Sequence, residues 1–224
     1  MKNRKEIIKE LENKFAIKME KYGFNKKMVN NHLKRKTKYG NDSLHFIYND
    51  YGDLIKILID VGIRYDNVMI YMDKLLRKYG YFEDEKDNTI MGHYLYVIGD
   101  GAQKKYIINS EEDIDKTVDK IYNDVVKYAL PFFEKYSDVN EVFKYSINDD
   151  TPLNLMPMSN YRAIKSVIIS KLYNLEDTNK LIENRRKYLN SLNVDDDQKK
   201  FMLGTFNNFV EELKNDSNNE KNKK

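Results

Sequence analysis

The chain has 224 residues, of which 41% are hydrophobic and 33% charged, and its formal net charge is +3. That length suffices for one large domain or two small ones with a genuine core. No apolar run approaches the roughly 20 residues needed to cross a bilayer, and the absence of cysteine excludes disulfides, thiolate chemistry and cysteine-ligated zinc.

The first residues, MKNRKEIIKELENKF, are basic but lack the unbroken apolar stretch of a secretory signal. A cytoplasmic protein with no membrane partner is the expectation. The small net charge hides an asymmetry: residues 1–80 balance at +8, residues 81–160 at −8 and residues 161–224 at +3. Blocks of opposite sign either steer an ionic partner or neutralise each other within one fold, and self-neutralisation is the simpler reading.

In chain order, Ile8, Leu11, Phe15, Met19 and Tyr22 recur at three and four residues and mark a first helix, which Gly23 ends. Residues 28–38 read as a polar strand and 43–49 as a second. In DLIKILIDVGIRY, Ile57, Ile59, Val61 and Ile63 alternate with other residues, which is the period of a strand buried on one face. The NDYGD between the second and third runs predicts an antiparallel hairpin. A helix follows over about 66–79. IMGHYLYVIGDGAQKKYIIN then reads as strand, Gly-Asp-Gly turn, strand.

Ser110 and Asp113 mark the start of a helix carrying Ile114, Val118, Ile121, Val125 and Tyr128 inward, and Pro131 should kink or end it. No strand is predicted beyond Asp138, and three helical segments occupy about 160–174, 178–192 and 196–214. Asp195 and Gln198 give the last of these a capping signature. The expected class is α+β: a small antiparallel sheet packed with helices over 1–148, a linker at 149–159, an all-helical extension at 160–214 and a disordered tail at 215–224.

The segment KYGFNKK with Gly23, Phe24, Lys26 and Lys27, the strand end Val61–Arg64, and the helix end Leu130–Phe133 together resemble a bacterial family of small α+β proteins whose domain has no assigned function. The resemblance spans residues 5–140, and the chain departs from the family's habit in having no tryptophan. It implies the α+β fold and leans towards an immunity-like role, in which the protein binds and blocks a toxin. It supplies no catalytic residues.

Chemistry is sparse. His32, His45 and His93 fall on predicted strands with no metal-ligand spacing, so they read as ordinary strand histidines. There is no G-x-S-x-G elbow, and GDGAQKK lacks the spacing of a phosphate-binding loop. Asp50, Asp53 and Asp60 near the hairpin, with the acidic run at 83–87, would suit a magnesium-dependent phosphodiester enzyme, in which Asp53 and Asp60 hold the metal. The run NKKMVNNHLKRKTKYGND offers Lys34, Arg35, Lys36 and Lys38 to a phosphate backbone, with Tyr39, His32 and Tyr48 as stacking rings. The competing reading is a solvated edge strand kept from aggregating by its lysines.

With 18 tyrosines, 10 phenylalanines and 9 methionines, aromatic surface suited to protein interfaces is expected. Met69, Ile70 and Tyr71 are the candidate partner-binding residues, unless the C-terminal helices bury them. The leading expectation is a non-enzymatic, intracellular protein-binding module, with an immunity or inhibitor protein of a bacterial or phage conflict system as its most concrete form. The partner is then another protein and no cofactor is expected. Nucleic-acid binding and magnesium-dependent catalysis are the alternatives.

Overall fold

A computed structural model describes residues 3–80, 89–101, 106–150, 154–156 and 158–221, with backbone alone from 216 onward. The protein is α+β, and its chain divides into two compact units: Met1–Asp66 with Thr89–Ser137, and Asn67–Asn88 with Asp138–Lys224.

The first unit is built on an antiparallel sheet. Strands β1 (His32–Lys36), β2 (Gly40–Asp50) and β3 (Ile55–Tyr65) form a meander, and β3 takes two further partners side by side along its other edge. Strand β4 (Met91–Tyr94) pairs with Asp60–Ile63, and β5 (Tyr106–Ile108) with Ile55–Ile57. The expected β4–β5 hairpin does not form. Leu95–Ile98 coils into a single helical turn, α3, instead of continuing the strand, so each short strand meets β3 separately. Strand β1 is also shorter than the 28–38 expected. Asn30 and Asn31 both adopt the left-handed conformation, and Val29 and His32 close a tight turn around them with two 2.9 Å backbone bonds.

Register puts Leu33, Leu44, Phe46, Ile57, Ile59, Val61 and Ile63 on one face of this sheet, all of them buried. Helix α1 (Arg4–Met19) lies on that face: Phe15 and Phe46 meet at 5.0 Å, and Tyr48 donates to Glu12 at 3.0 Å. Asn3 and Glu6 cap the helix reciprocally, and it buries Ile7 rather than the expected Ile8.

Helix α4 (Ile114–Asp124) runs beside α1 in the same direction. Lys14 meets Asp115 at 2.7 Å, Lys18 meets Asp119 at 2.9 Å, and the Tyr22 and Tyr122 hydroxyls lie 3.2 Å apart. The basic and acidic thirds of the sequence therefore neutralise each other in part along this seam. Surface pairs of this kind contribute little each, so the seam sets alignment more than stability.

Pro131 neither ends nor breaks the following helix. A proline removes one backbone donor and crowds the carbonyl four residues earlier. Here the chain widens into a π turn over Val125–Ala129 and continues as α5 (Leu130–Lys135).

The second unit is helical. It comprises α2 (Asp66–Lys78), α6 (Val139–Ile147), α7 (Ser159–Tyr173), α8 (Thr178–Ser191) and α9 (Asp196–Lys221). Its core helix is α7, buried at ten of its positions, four of them polar. Asp138, Asp177 and Asp195 cap α6, α8 and α9. The linker expected at 149–159 lies between α6 and α7, while α2 is drawn to this unit from between β3 and β4. Among the described residues, no helix is long and apolar enough to cross a membrane.

Gly40 shows how tightly the first unit constrains its turn. Its φ is +152°, and a Cβ there would sit 2.3 Å from the Arg64 carbonyl oxygen. Gly52 also has a positive φ, +87°, but nothing lies within 4 Å of its would-be Cβ. Gly40→Ala is expected to cost about 3 kcal/mol and Gly52→Ala about 1 kcal/mol. Denaturant unfolding of both variants checks the difference, and equal costs would contradict it.

Candidate functional site

The basic stretch is divided by the pleat of β1. Arg35 and Asp42 are register partners on the helix-covered face of the sheet. Asp42 is fully buried. Arg35 donates to Asp42 Oδ2 from Nε at 2.9 Å and from Nη2 at 2.6 Å, and from Nη1 to the Tyr22 carbonyl at 3.2 Å. Its guanidinium lies over the rings of Phe24 and Phe133, at 5.1 and 5.5 Å. The Tyr39 hydroxyl donates to Asp42 Oδ1 at 2.6 Å while its ring stacks on Tyr65 at 4.5 Å.

Burial is the main influence on Asp42 and raises its carboxyl above the usual aspartate range, against the lowering effect of Tyr39 and Arg35. Burial also raises the Tyr39 hydroxyl, and Asp42 adds to the effect.

Arg35 and Tyr39 are therefore half-buried and engaged with the buried Asp42. Lys34 and Lys36 lie on the opposite face, Lys36 exposed, and Lys38 is exposed in the turn. Of the other two proposed stacking rings, Tyr48 is engaged with Glu12 and His32 is stacked on His45. The structure does not assemble the five basic-stretch residues into one surface.

The second face of the sheet carries a lateral row that pairing brings together: His32 opposite His45, His45 opposite Asp60, and Asp60 opposite Tyr94. The two imidazoles stack at 4.0 Å, 2° from parallel. Tyr94 stacks on Tyr96 at 5.6 Å. Burial raises the Asp60 carboxyl, and the neighbouring His45 and His93 oppose that. Ile47 and Leu58 form the next pair along the same face, and Lys56 lies beyond them opposite Asn49. All of these side chains are half-buried.

Ser43 stands beside His45 on this face, but its hydroxyl donates to the Gly62 carbonyl at 3.3 Å. That bond does not poise it as a nucleophile.

The acidic residues do not converge. Asp50 pairs with Ile55, on the helix-covered face, and bonds Arg4. Asp53 is exposed in the hairpin turn. Asp60 lies five residues further along β3, roughly 17 Å, on the opposite face. Among the described residues no group of three His, Asp or Glu side chains could hold a metal ion. The acidic run at 83–87 lies outside the described residues. Of the proposed partner-binding residues, Met69 is buried, Tyr71 meets Phe209 edge-on at 6.4 Å, and Ile70 alone is exposed, at 62%.

Sequence reasoning missed the polar interior of the second unit. Helix α7 buries Asn160, Arg162, Ser166 and Ser170, and α8 buries Arg185. Arg162 and Arg185 meet at Asp149, in the segment read from sequence as a linker. The available signal was Arg162 and Lys165 placed within a largely apolar helical run, YRAIKSVIISKL.

Lys165, on the same helix, is pushed down to about 8 by burial, with Asp73 of α2 opposing the shift. Between about 8 and the ordinary lysine value near 10.4, the unfolded chain holds a proton that the folded chain has released. This group therefore destabilises the fold below pH 8 and ceases to do so as pH rises through that window. Lys165→Met is expected to be more stable than the parent at pH 7, with the advantage shrinking towards pH 10. Denaturation midpoints across that range test this, and a constant difference would contradict it. Comparison with protein-family models, curated proteins and solved structures finds no match for this chain, so its function must be read from its own residues.

Proposed function

We propose that the chain is a non-enzymatic binding protein that takes another protein on the second face of its sheet. The observation that carries this reading is the row His32, His45, Asp60 and Tyr94, set beside Ile47 and Leu58 on the same face. Half-buried rings next to aliphatic side chains combine apolar area with hydrogen-bonding tips, the mixture that protein interfaces favour. Lys34 and Lys36 on the edge strand give the face a basic margin, which suits an acidic partner surface.

Nucleic acid is the weaker candidate. A single-strand site needs cations in a groove with rings for stacking, and here the Arg35 fork is committed to Asp42 and the Tyr39 ring to Tyr65. The most concrete form of the proposal is an inhibitor or immunity protein of a bacterial or phage conflict system, as the family resemblance implies.

Affinity capture with the full chain at low salt, recovering both protein and nucleic acid, tests the proposal. A single stoichiometric protein is expected with the parent and with Lys200→Gln, an exposed position on α9. At least a tenfold loss, about 1.4 kcal/mol, is expected with Leu58→Asp or His45→Ala. A partner retained by both face variants, or recovery of nucleic acid that leaves as salt rises, would overturn it.

A further inference from the structure

Several tyrosine hydroxyls of the first unit donate to a carboxylate. Tyr39 donates to Asp42 at 2.6 Å, Tyr48 to Glu12 at 3.0 Å and Tyr106 to Asp124 at 2.8 Å. A neighbouring negative charge keeps the proton on a phenol. At the seam between α1 and α4 the surroundings have the opposite sign.

Tyr22 closes the short helical turn Glu20–Tyr22 that follows α1, and Tyr122 stands in the last turn of α4. Their hydroxyls lie 3.2 Å apart. The Lys21 ammonium is 5.3 Å from the Tyr22 ring centre and 5.2 Å from that of Tyr122, and Lys18 is 5.4 Å from Tyr122. Lys18 is already balanced by Asp119 at 2.9 Å. Among the described residues no carboxylate pairs with Lys21, whose partners are the two phenols. Charge balance therefore favours a phenolate beside it.

Lys21 and then Tyr22 lower the Tyr122 hydroxyl below the usual phenol range, while the bond to Tyr122 raises Tyr22. The two phenols thus divide their roles: Tyr22 keeps its proton and donates it, and Tyr122 is the oxygen that can release its own. Both rings are half-buried and Lys21 is exposed, so a reagent can reach the cluster from solvent.

We propose that Tyr122 is a nucleophilic phenol, at which the chain accepts a phosphoryl or phosphonyl group from a phosphorus donor carrying a good leaving group. A lone pair of the Tyr122 oxygen forms the O–P bond, the leaving group departs with the electrons of its own bond to phosphorus, and the phenol proton passes to solvent. Lys21 acts twice: its charge favours the phenolate, and its N–H groups donate to the phosphoryl oxygen on which negative charge develops. That second action favours tetrahedral phosphorus over an alkylating carbon, where no such oxygen forms. The cluster belongs to the helical seam, so this proposal and the sheet-face reading fail independently.

The test treats the full chain with a fluorophosphonate, whose leaving group is fluoride, near neutral pH. Peptide mass spectrometry over time then locates the adduct among the tyrosines and lysines. Tyr122 is expected to react at least about tenfold faster than any other tyrosine. Lys21→Met is expected to slow that reaction about tenfold and to move its rise with pH upward, and Tyr22→Phe to slow it by a smaller factor. Lys200→Gln, on α9, serves as the control with parent-like labelling. No adduct, an even spread over the tyrosines, an adduct on Lys21 or Tyr22 in place of Tyr122, or a parent-like pH profile in Lys21→Met would overturn the proposal.

Discussion

The first unit depends on the burial of one carboxylate. Asp42 has no exposed surface, and an ionised group there is tolerated only with charge-assisted bonds to both oxygens. Arg35 and Tyr39 supply them. Those two bring further elements with them. Arg35 reaches the carbonyl of Tyr22 just beyond α1 and lies on Phe24 and on Phe133 of α5. Tyr39 stacks on Tyr65 at the end of β3, whose hydroxyl donates to the Tyr136 carbonyl at 2.8 Å. A single acidic side chain thus ties the β1–β2 turn to the C-terminal end of α1 and to α5.

That constraint also decides the character of the basic stretch. A strand alternates its side chains between two faces, so a run of cations in sequence is not a patch in space. Lys34 and Lys36 go one way and Arg35 the other, into the core. The second unit repeats the theme in a different form, since Arg162 and Arg185 are buried against Asp149 within a helical interior. In both units arginines are drawn onto a carboxylate, Arg35 half-buried on Asp42 and Arg162 and Arg185 buried on Asp149, as expected from the weaker hydration and planar fork of the guanidinium.

Much of the architecture was legible in the sequence because it rests on local period. The alternation of β3, the spacing of Leu11, Phe15 and Met19, and the Asp195 cap of α9 all carry their meaning within a few residues. Where the reading departed from the structure, tertiary context decided. Leu95–Ile98 has strand-like composition yet coils, because β3 offers its edge to two separate short strands. Pro131 is absorbed by a π turn rather than by a break.

The candidate sites were less legible for the same reason. The row from His32 to Tyr94 exists only through the register of four strands. Asp149, Arg162 and Arg185 are separated by 13 and 36 residues from carboxylate to cation, with no motif linking them. The partnership of Arg35 with Asp42 spans only seven residues, yet it too depends on where the turn falls. A one-residue slip would have sent both side chains to the other face.

Asp42 and Arg35 stabilise the first unit as a coupled pair, the carboxylate fully buried and the guanidinium half-buried against it. A double-mutant cycle with Arg35→Met, Asp42→Leu and their combination measures this by denaturant unfolding. Arg35→Met is expected to lose about 3 kcal/mol by stranding the buried Asp42 carboxylate and Asp42→Leu a smaller amount, while the double variant should be more stable than Arg35→Met, giving a coupling of at least about 2 kcal/mol. Losses that simply add would contradict the account, and Arg35 would then be an edge-strand cation after all.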